Sequence, residues 1–326
     1  MQRYRLFTTI FMMVLFFLMA CEKSQIETLN EAVSNELALL PQDAEIYGFA
    51  NIENMRESQF YDMFIDSSET FDFPADTDLE EFANETGVDL RKDIQSIYFA
   101  GYAQDKKERM RVLIISKGVF DKQKILNFIQ SKEDFDKMQE QAYQSQQLFI
   151  SKNGKHGFSI VDNNTAVIGY VPLMKKYMDI LVKGNGQLSD VMRNRLGKIR
   201  FKNDFWITAD AGNLMKKAQN PISGKQLRGL TSVEQLYFSM RINDKIEMAT
   251  LGIFSDEEKA VLFKDAVKGG IATLKLALSE DRDLIDIINH IKIDVHDNEV
   301  QALFKISKEE VKKIITNQKQ IAGKII

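Results

Sequence analysis

The pattern of this chain restarts near residue 200, and that constrains its fold more than any local motif. Ile46-Tyr47-Gly48-Phe49-Ala50-Asn51 faces Phe205-Trp206-Ile207-Thr208-Ala209-Asp210, and Met55 faces Leu214. Ile94 to Phe99 faces Val233 to Phe238, with Tyr98 on Tyr237. Phe120-Asp121 faces Phe254-Ser255, and Asp162-Asn163 faces Asp297-Asn298. The offsets are 159, 139, 134 and 135, so the order is kept while the second copy is shorter. Self-similarity in a kept order marks one supersecondary unit used twice.

Hydrophobic periodicity gives each unit the order β-α-β-β-α-β-β-α. The expected fold class is therefore α+β: two repeated units, each a mainly antiparallel sheet with helices packed on one face, in a split βαβ-like plan. The units span 41–186 and 203–326, joined by a basic linker over 187–202 and preceded by a polar spacer over 21–40 that leads into a short helical pattern, with Leu29, Val33, Leu37 and Leu40 at 3–4 spacing. Asn153-Gly154 between apolar runs predicts a hairpin. Gly87 closes one predicted helix and Pro172 opens another. Ser255-Asp256-Glu257-Glu258 and Ser307-Lys308-Glu309-Glu310 read as capping boxes. The helix opening at Asp121 is expected to continue toward Tyr143, and Gly269-Gly270 to bend or interrupt the long helix after Ser255.

The leader is a separate feature. Arg3 and Arg5 precede an apolar run from Leu6 to Met19 broken only by Thr8 and Thr9. A positive n-region and a short apolar core are the marks of a secretory signal. Glu22 and Lys23 end the run before the ~20 apolar residues that a spanning helix needs. Residues 1–20 are thus expected to be removed. Cys21 is the only cysteine, so no disulfide can form within the chain, and stability rests on core burial.

Leu18-Met19-Ala20-Cys21 resembles the lipobox of bacterial lipoproteins. In that family the cysteine is diacylated, cleavage leaves it first, and its amine is then acylated. A lipobox, a spacer and Leu40-Pro41-Gln42-Asp43-Ala44 leading into a strand that ends at Asn51 together resemble an uncharacterised class of bacterial lipoproteins built from duplicated α+β units. The resemblance implies lipid attachment at Cys21 and a place in the cell envelope, on a periplasmic or surface face. It brings no activity and no catalytic residue. Each buried methylene contributes about 0.8 kcal/mol, so two or more chains on Cys21 hold a protein on a membrane without a span.

Charge narrows the partners. Without Arg3 and Arg5, 41 basic residues stand against 47 acidic ones, a net charge of −6 that disfavours bulk nucleic-acid binding. Between Arg56 and Arg91 lie 11 acids and no Lys or Arg, among them Asp66, Glu69, Asp72, Asp76, Asp78, Glu80 and Glu81. They lack EF-hand spacing, and a solvated loop is the simpler reading than a Ca²⁺ site. Arg193, Arg195, Lys198, Arg200 and Lys202 reverse the bias. A solvated linker is again the simpler reading; the sharper one is that Ile199 and Phe201, alternating with Arg200 and Lys202, put the basic side chains on one face that meets anionic head groups or the acidic stretch.

No constellation for catalysis emerges. There is no nucleophile elbow, phosphate-binding loop, dinucleotide fingerprint or zinc-protease motif. His290 and His296 lie ~20 Å apart along one strand, too far to share a metal. No metal and no cofactor are expected. The sequence therefore favours a non-enzymatic binding or scaffold protein, with the membrane and an envelope protein as partners. The alternatives are a carrier of a lipid or other apolar ligand, which would need an apolar cavity of at least ~300 Å³, and an enzyme without a recognisable motif.

Overall fold

The structure is a computed structural model that describes residues 26–61, 63, 76–103, 111–131, 138–217, 232–279 and 281–314. Among these, twelve strands form one antiparallel sheet. They are β1 (Ile46–Asn51), β2 (Ile94–Tyr102), β3 (Arg111–Gly118), β4 (Met138–Tyr143), β5 (Gln146–Ser151), β6 (His156–Asp162), β7 (Thr165–Tyr170), β8 (Phe205–Ala209), β9 (Val233–Ile242), β10 (Lys245–Phe254), β11 (Lys292–His296) and β12 (Glu299–Ser307). Their order across the sheet is β11-β12-β10-β9-β8-β1-β2-β3-β7-β6-β5-β4. β1 and β8 lie side by side at the middle, with Gly48 opposite Ile207. All neighbours are antiparallel, and β1 pairs directly with β2 with no strand between them, so the sheet is not a split βαβ; β1 with β8, β3 with β7 and β10 with β12 join strands that are not consecutive in sequence.

The helices are α1 (Glu31–Leu39), α2 (Ile52–Glu57), α3 (Asp76–Thr86), α4 (Leu90–Asp93), α5 (Lys122–Ser131), α6 (Val171–Lys183), α7 (Asp190–Lys198), α8 (Ala211–Lys217), α9 (Glu257–Ala277), α10 (Arg282–Asn289) and α11 (308–314). They cover both faces of the sheet, not one. Neighbouring strand residues explain why. Leu148 and Ile150 pack with α1 and α6, whereas Phe149 between them joins a cluster with α5 on the opposite face. Tyr237 likewise faces the first side, and Met240 and Ile242 the second, against α10 and α11. Strands that are apolar at consecutive positions need cover on both sides.

Three other expectations change. Residues 26–40 are not a free spacer, because α1 buries Val33 and Leu37 in the main core. The helix from Asp121 stops at Ser131, and Met138–Tyr143 is a strand pairing Gln146–Ser151. α9 runs unbroken through Gly269-Gly270, because Phe263, Val267 and Ile271 dock it on the sheet from both sides of the pair. Its cap is Asp256, which accepts from Lys259 N at 2.9 Å, one residue later than the sequence suggests. The box at Ser307 is complete: Glu310 N donates to Ser307 Oγ, and Ser307 N to Glu310 Oε2 at 2.7 Å.

One cross-strand row on the second face runs through eleven strands and into a twelfth. From the middle outward it reads Gly48, Phe99, Ile114, Ile168, Phe158, Phe149 and Glu140 on one side. On the other it reads Ile207, Phe238, Thr250, Ala302 and Ile293. Phe149 and Ile293 towards its two ends are buried and the terminal Glu140 is exposed, while Ile114 and Ile168 are 37% and 52% exposed. Glycine at 48 lets the Phe99 ring lie over the backbone, and a Cβ there would force that ring to move.

Candidate functional site

The basic segment of the sequence folds as α7 and the turn after it, capped by Ser189, whose hydroxyl accepts from Met192 N at 3.1 Å. Its five cations do not gather on one exposed face. Arg193 is exposed and bonds Asp190 at 3.0 Å. Lys198 pairs with Glu299 at the end of β12. Arg200 stacks on Phe201 with its guanidinium carbon 5.4 Å from the ring centre. Arg195 and Lys202 are taken inside, with 7% and 9% of their surface exposed. The reason is periodicity: Met192, Arg195, Leu196 and Ile199 share one helical stripe, which packs into the core.

Arg195 is the centre of a buried polar cluster. Its Nη1 donates to Ala44 O at 3.2 Å and Glu45 O at 3.3 Å, and its Nη2 lies 3.8 Å from Asp210 Oδ2. The guanidinium carbon is 5.4 Å from the centre of the Tyr47 ring. Tyr47 donates to Pro41 O and accepts from Ala44 N, both at 2.9 Å, and burial pushes its hydroxyl up to about 12. Glu45 pairs with Lys217 and accepts from Ala103 N at 2.7 Å. Asp210 N donates to Glu45 O at 2.8 Å. Arg195 holds Ala44, 151 positions away in sequence, a structural use of the charge that the Glu45–Lys217 pair supports.

A second cluster sits at the other end of β9. Glu27 accepts from Lys202 N at 2.8 Å and from Arg241 Nη1 at 3.2 Å. Arg241 also pairs with Glu247, which holds Lys305 at 2.6 Å. Burial alone would raise the Glu247 carboxyl, but the bonds from Lys305 and Arg241 hold it below its ordinary range. Burial lowers Lys202. The sequence signal for this cluster was weak, since Glu27 and Arg241 are 214 positions apart.

An apolar cleft of about 270 Å³ opens over β9, β10 and β12. Phe238, Thr250 and Ala302 of the cross-strand row form its floor, with Met248, Phe304 and Ile291 around them.

No family model matches this chain, and no curated protein matches it. Three crystal forms of TP0453, a Treponema protein, resemble it distantly. Form IV aligns at 12% identity and a TM-score of 0.46, covering 90% of this chain and 98% of TP0453. Form I aligns at 13% and 0.44, covering 90% and 99%. Form III aligns at 12% and 0.47, covering 86% and 97%.

Cys21, Asp66, Glu69 and Asp72 lie outside the described residues, and Asp76, Asp78, Glu80 and Glu81 fall on α3. His290 caps α10, with Nδ1 3.4 Å from Glu310, while Lys292, Asp294 and His296 are exposed on alternate positions of β11. No described helix is long and apolar enough to cross a membrane.

Proposed function

We propose that this chain is a bacterial lipoprotein of the cell envelope, tethered through an acylated Cys21, whose folded body is a non-enzymatic binding or scaffold module. The lipobox-like Leu18-Met19-Ala20-Cys21 supports the tether. The observation that carries the binding role is the cross-strand row: Ile114 and Ile168 stand directly opposite one another and stay exposed, with Leu236 42% exposed on the same face. Contiguous apolar surface of this kind marks interaction sites. A photo-crosslinker at Ile114 should capture an envelope protein in cells, and adding Ile168→Asp on the opposite strand should lose that capture while the fold is kept. An unchanged crosslink pattern in the Asp variant would sink the binding role.

The duplication belongs to the same reading. From Gly48 outward the row runs Phe99, Ile114, Ile168, Phe158; from Ile207 it runs Phe238, Thr250, Ala302, Ile293. The offsets, 139, 136, 134 and 135, follow those of the sequence repeat. Phe49 opposes Tyr98 as Thr208 opposes Tyr237. Phe120 N donates to Asn163 O as Phe254 N does to Asn298 O. The two units would then be related by a pseudo-twofold axis through Gly48 and Ile207, with β4 and β5 added to the first.

The cleft favours a second reading, a carrier of one small apolar ligand. Its volume is at the lower limit of ligand pockets, and its floor offers only the Thr250 hydroxyl as a polar group. Lipid co-purifying with the Cys21→Ser chain in native mass spectrometry would support it, and a clean apo mass would count against it.

A further inference from the structure

The fold grips the chain very close to the proposed lipid anchor. Glu27 N donates to Arg200 O at 3.1 Å, and the Glu27 carboxylate is held by Lys202 N and Arg241. Asn30 N donates to Asn203 Oδ1, and Asn203 Nδ2 donates to Thr28 O, both at 3.1 Å. Residues 27–30 are thus strapped to the segment before β8 and to β9. Arg241 stands two residues before the exposed β9–β10 turn at Asn243-Asp244. From the strap, α1 carries the chain to the other end of the sheet, where Glu45 N donates to Gly101 O at 3.0 Å. The β11–β12 turn at Asp297-Asn298 also closes that other end, roughly 30 Å away along the nine residues of β12.

Glu27 follows Cys21 by six positions, which reach about 21 Å when fully extended. The ten residues of β10 span roughly 34 Å. The leash is shorter than the strands. The body therefore cannot turn its far end to the membrane without releasing the strap.

We infer that in the tethered protein the end of the sheet carrying Glu27, Arg241 and the β9–β10 turn stands against the bilayer surface, with the β11–β12 turn directed away from it. This rests on the acylated Cys21 proposed above. The strands then rise from the membrane, and the apolar row, midway along them, is open to the envelope space. No charge attraction is required, since Glu27, Arg241, Glu247 and Lys305 satisfy one another.

The test uses the full acylated chain, purified from membranes and placed in phosphatidylcholine–phosphatidylglycerol vesicles with a head-group-linked energy acceptor. Acylation occupies the Cys21 thiol, so a donor on Asp244→Cys or His296→Cys is unique; both positions are exposed. Transfer from 244 should be about twofold higher than from 296, given the roughly 30 Å between them. Twenty Gly/Ser residues inserted between Gln25 and Ile26 add an r.m.s. reach of about 25 Å and should remove the difference. Equal transfer from the two positions in the native-leash protein, or stronger transfer from 296, overturns the orientation. Co-sedimentation reads the tether separately: a Cys21→Ser chain that stays on the vesicles would overturn the anchor and the orientation with it.

Discussion

Arg195→Met should destabilise the fold strongly, although the sequence places Arg195 in a solvated basic linker. The variant keeps the aliphatic stem but removes the guanidinium donor to Ala44 O, one of the two donors to Glu45 O, and the buried partner of Asp210. Breaking a buried charge pair by removing one member costs about 3–5 kcal/mol. Asp210 keeps a fifth of its side-chain surface exposed, so the lower end, about 3 kcal/mol, applies. With a urea slope of roughly 3 kcal/mol/M for a chain of this size, the midpoint should fall by about 1 M. Trp206 reports the transition. It is the single tryptophan, fully buried, and donates from Nε1 to Lys202 O at 3.1 Å. Arg193→Met, two positions away on the exposed face, should stay within about 0.5 kcal/mol of the parent. Equal midpoints for the two variants, measured in the Cys21→Ser background, would refute the structural assignment of Arg195.

Gly48→Val should cost at least about 1–3 kcal/mol through overpacking against Phe99, seen as a lowered urea midpoint, whereas Gly154→Ala, with no neighbour near its Cβ, tests left-handed backbone strain alone. Glu247 should contribute acid sensitivity. Its folded pKa lies below the ordinary 4.5, so its stabilisation is complete above that pH and is lost as pH falls through the lowered value. Glu247→Gln should therefore flatten the stability profile below pH 4.5 and leave its shape at pH 8 unchanged; a profile unaltered on the acid side would exclude Glu247 as the source.

Much of the α+β character is legible in short-range chemistry. Asn153-Gly154 turns β5 into β6 with Gly154 at φ 70°, and Gly87 at φ 72° closes α3. The Ser307–Glu310 box forms as its spacing demands. Long-range matters were not legible. The repeat suggests two units, but only the pairing of β1 with β8 makes them one sheet, and nothing local specifies that contact. The strand β4 was hidden because Met138-Gln139-Glu140-Gln141-Ala142 has no apolar alternation and takes its form from pairing with β5. For Arg195 a signal was present: it sits on the Met192–Leu196–Ile199 stripe, and a cation on an apolar stripe calls for a buried partner. The helical spacing of Val33 and Leu37 was legible, but not that this short helix docks in the main core instead of standing the body off the bilayer.

The lipid anchor at Cys21 is the central claim, and mass spectrometry of the N-terminal peptide of the mature protein, extracted from the membrane fraction, tests it most directly. The account predicts a peptide that begins at Cys21, carries the mass of a diacylglyceryl thioether and an amide-linked acyl chain, and on mild alkaline hydrolysis loses its two ester-linked fatty acids while keeping the amide-linked one. A mature chain that begins elsewhere, or one with an unmodified Cys21, would contradict it.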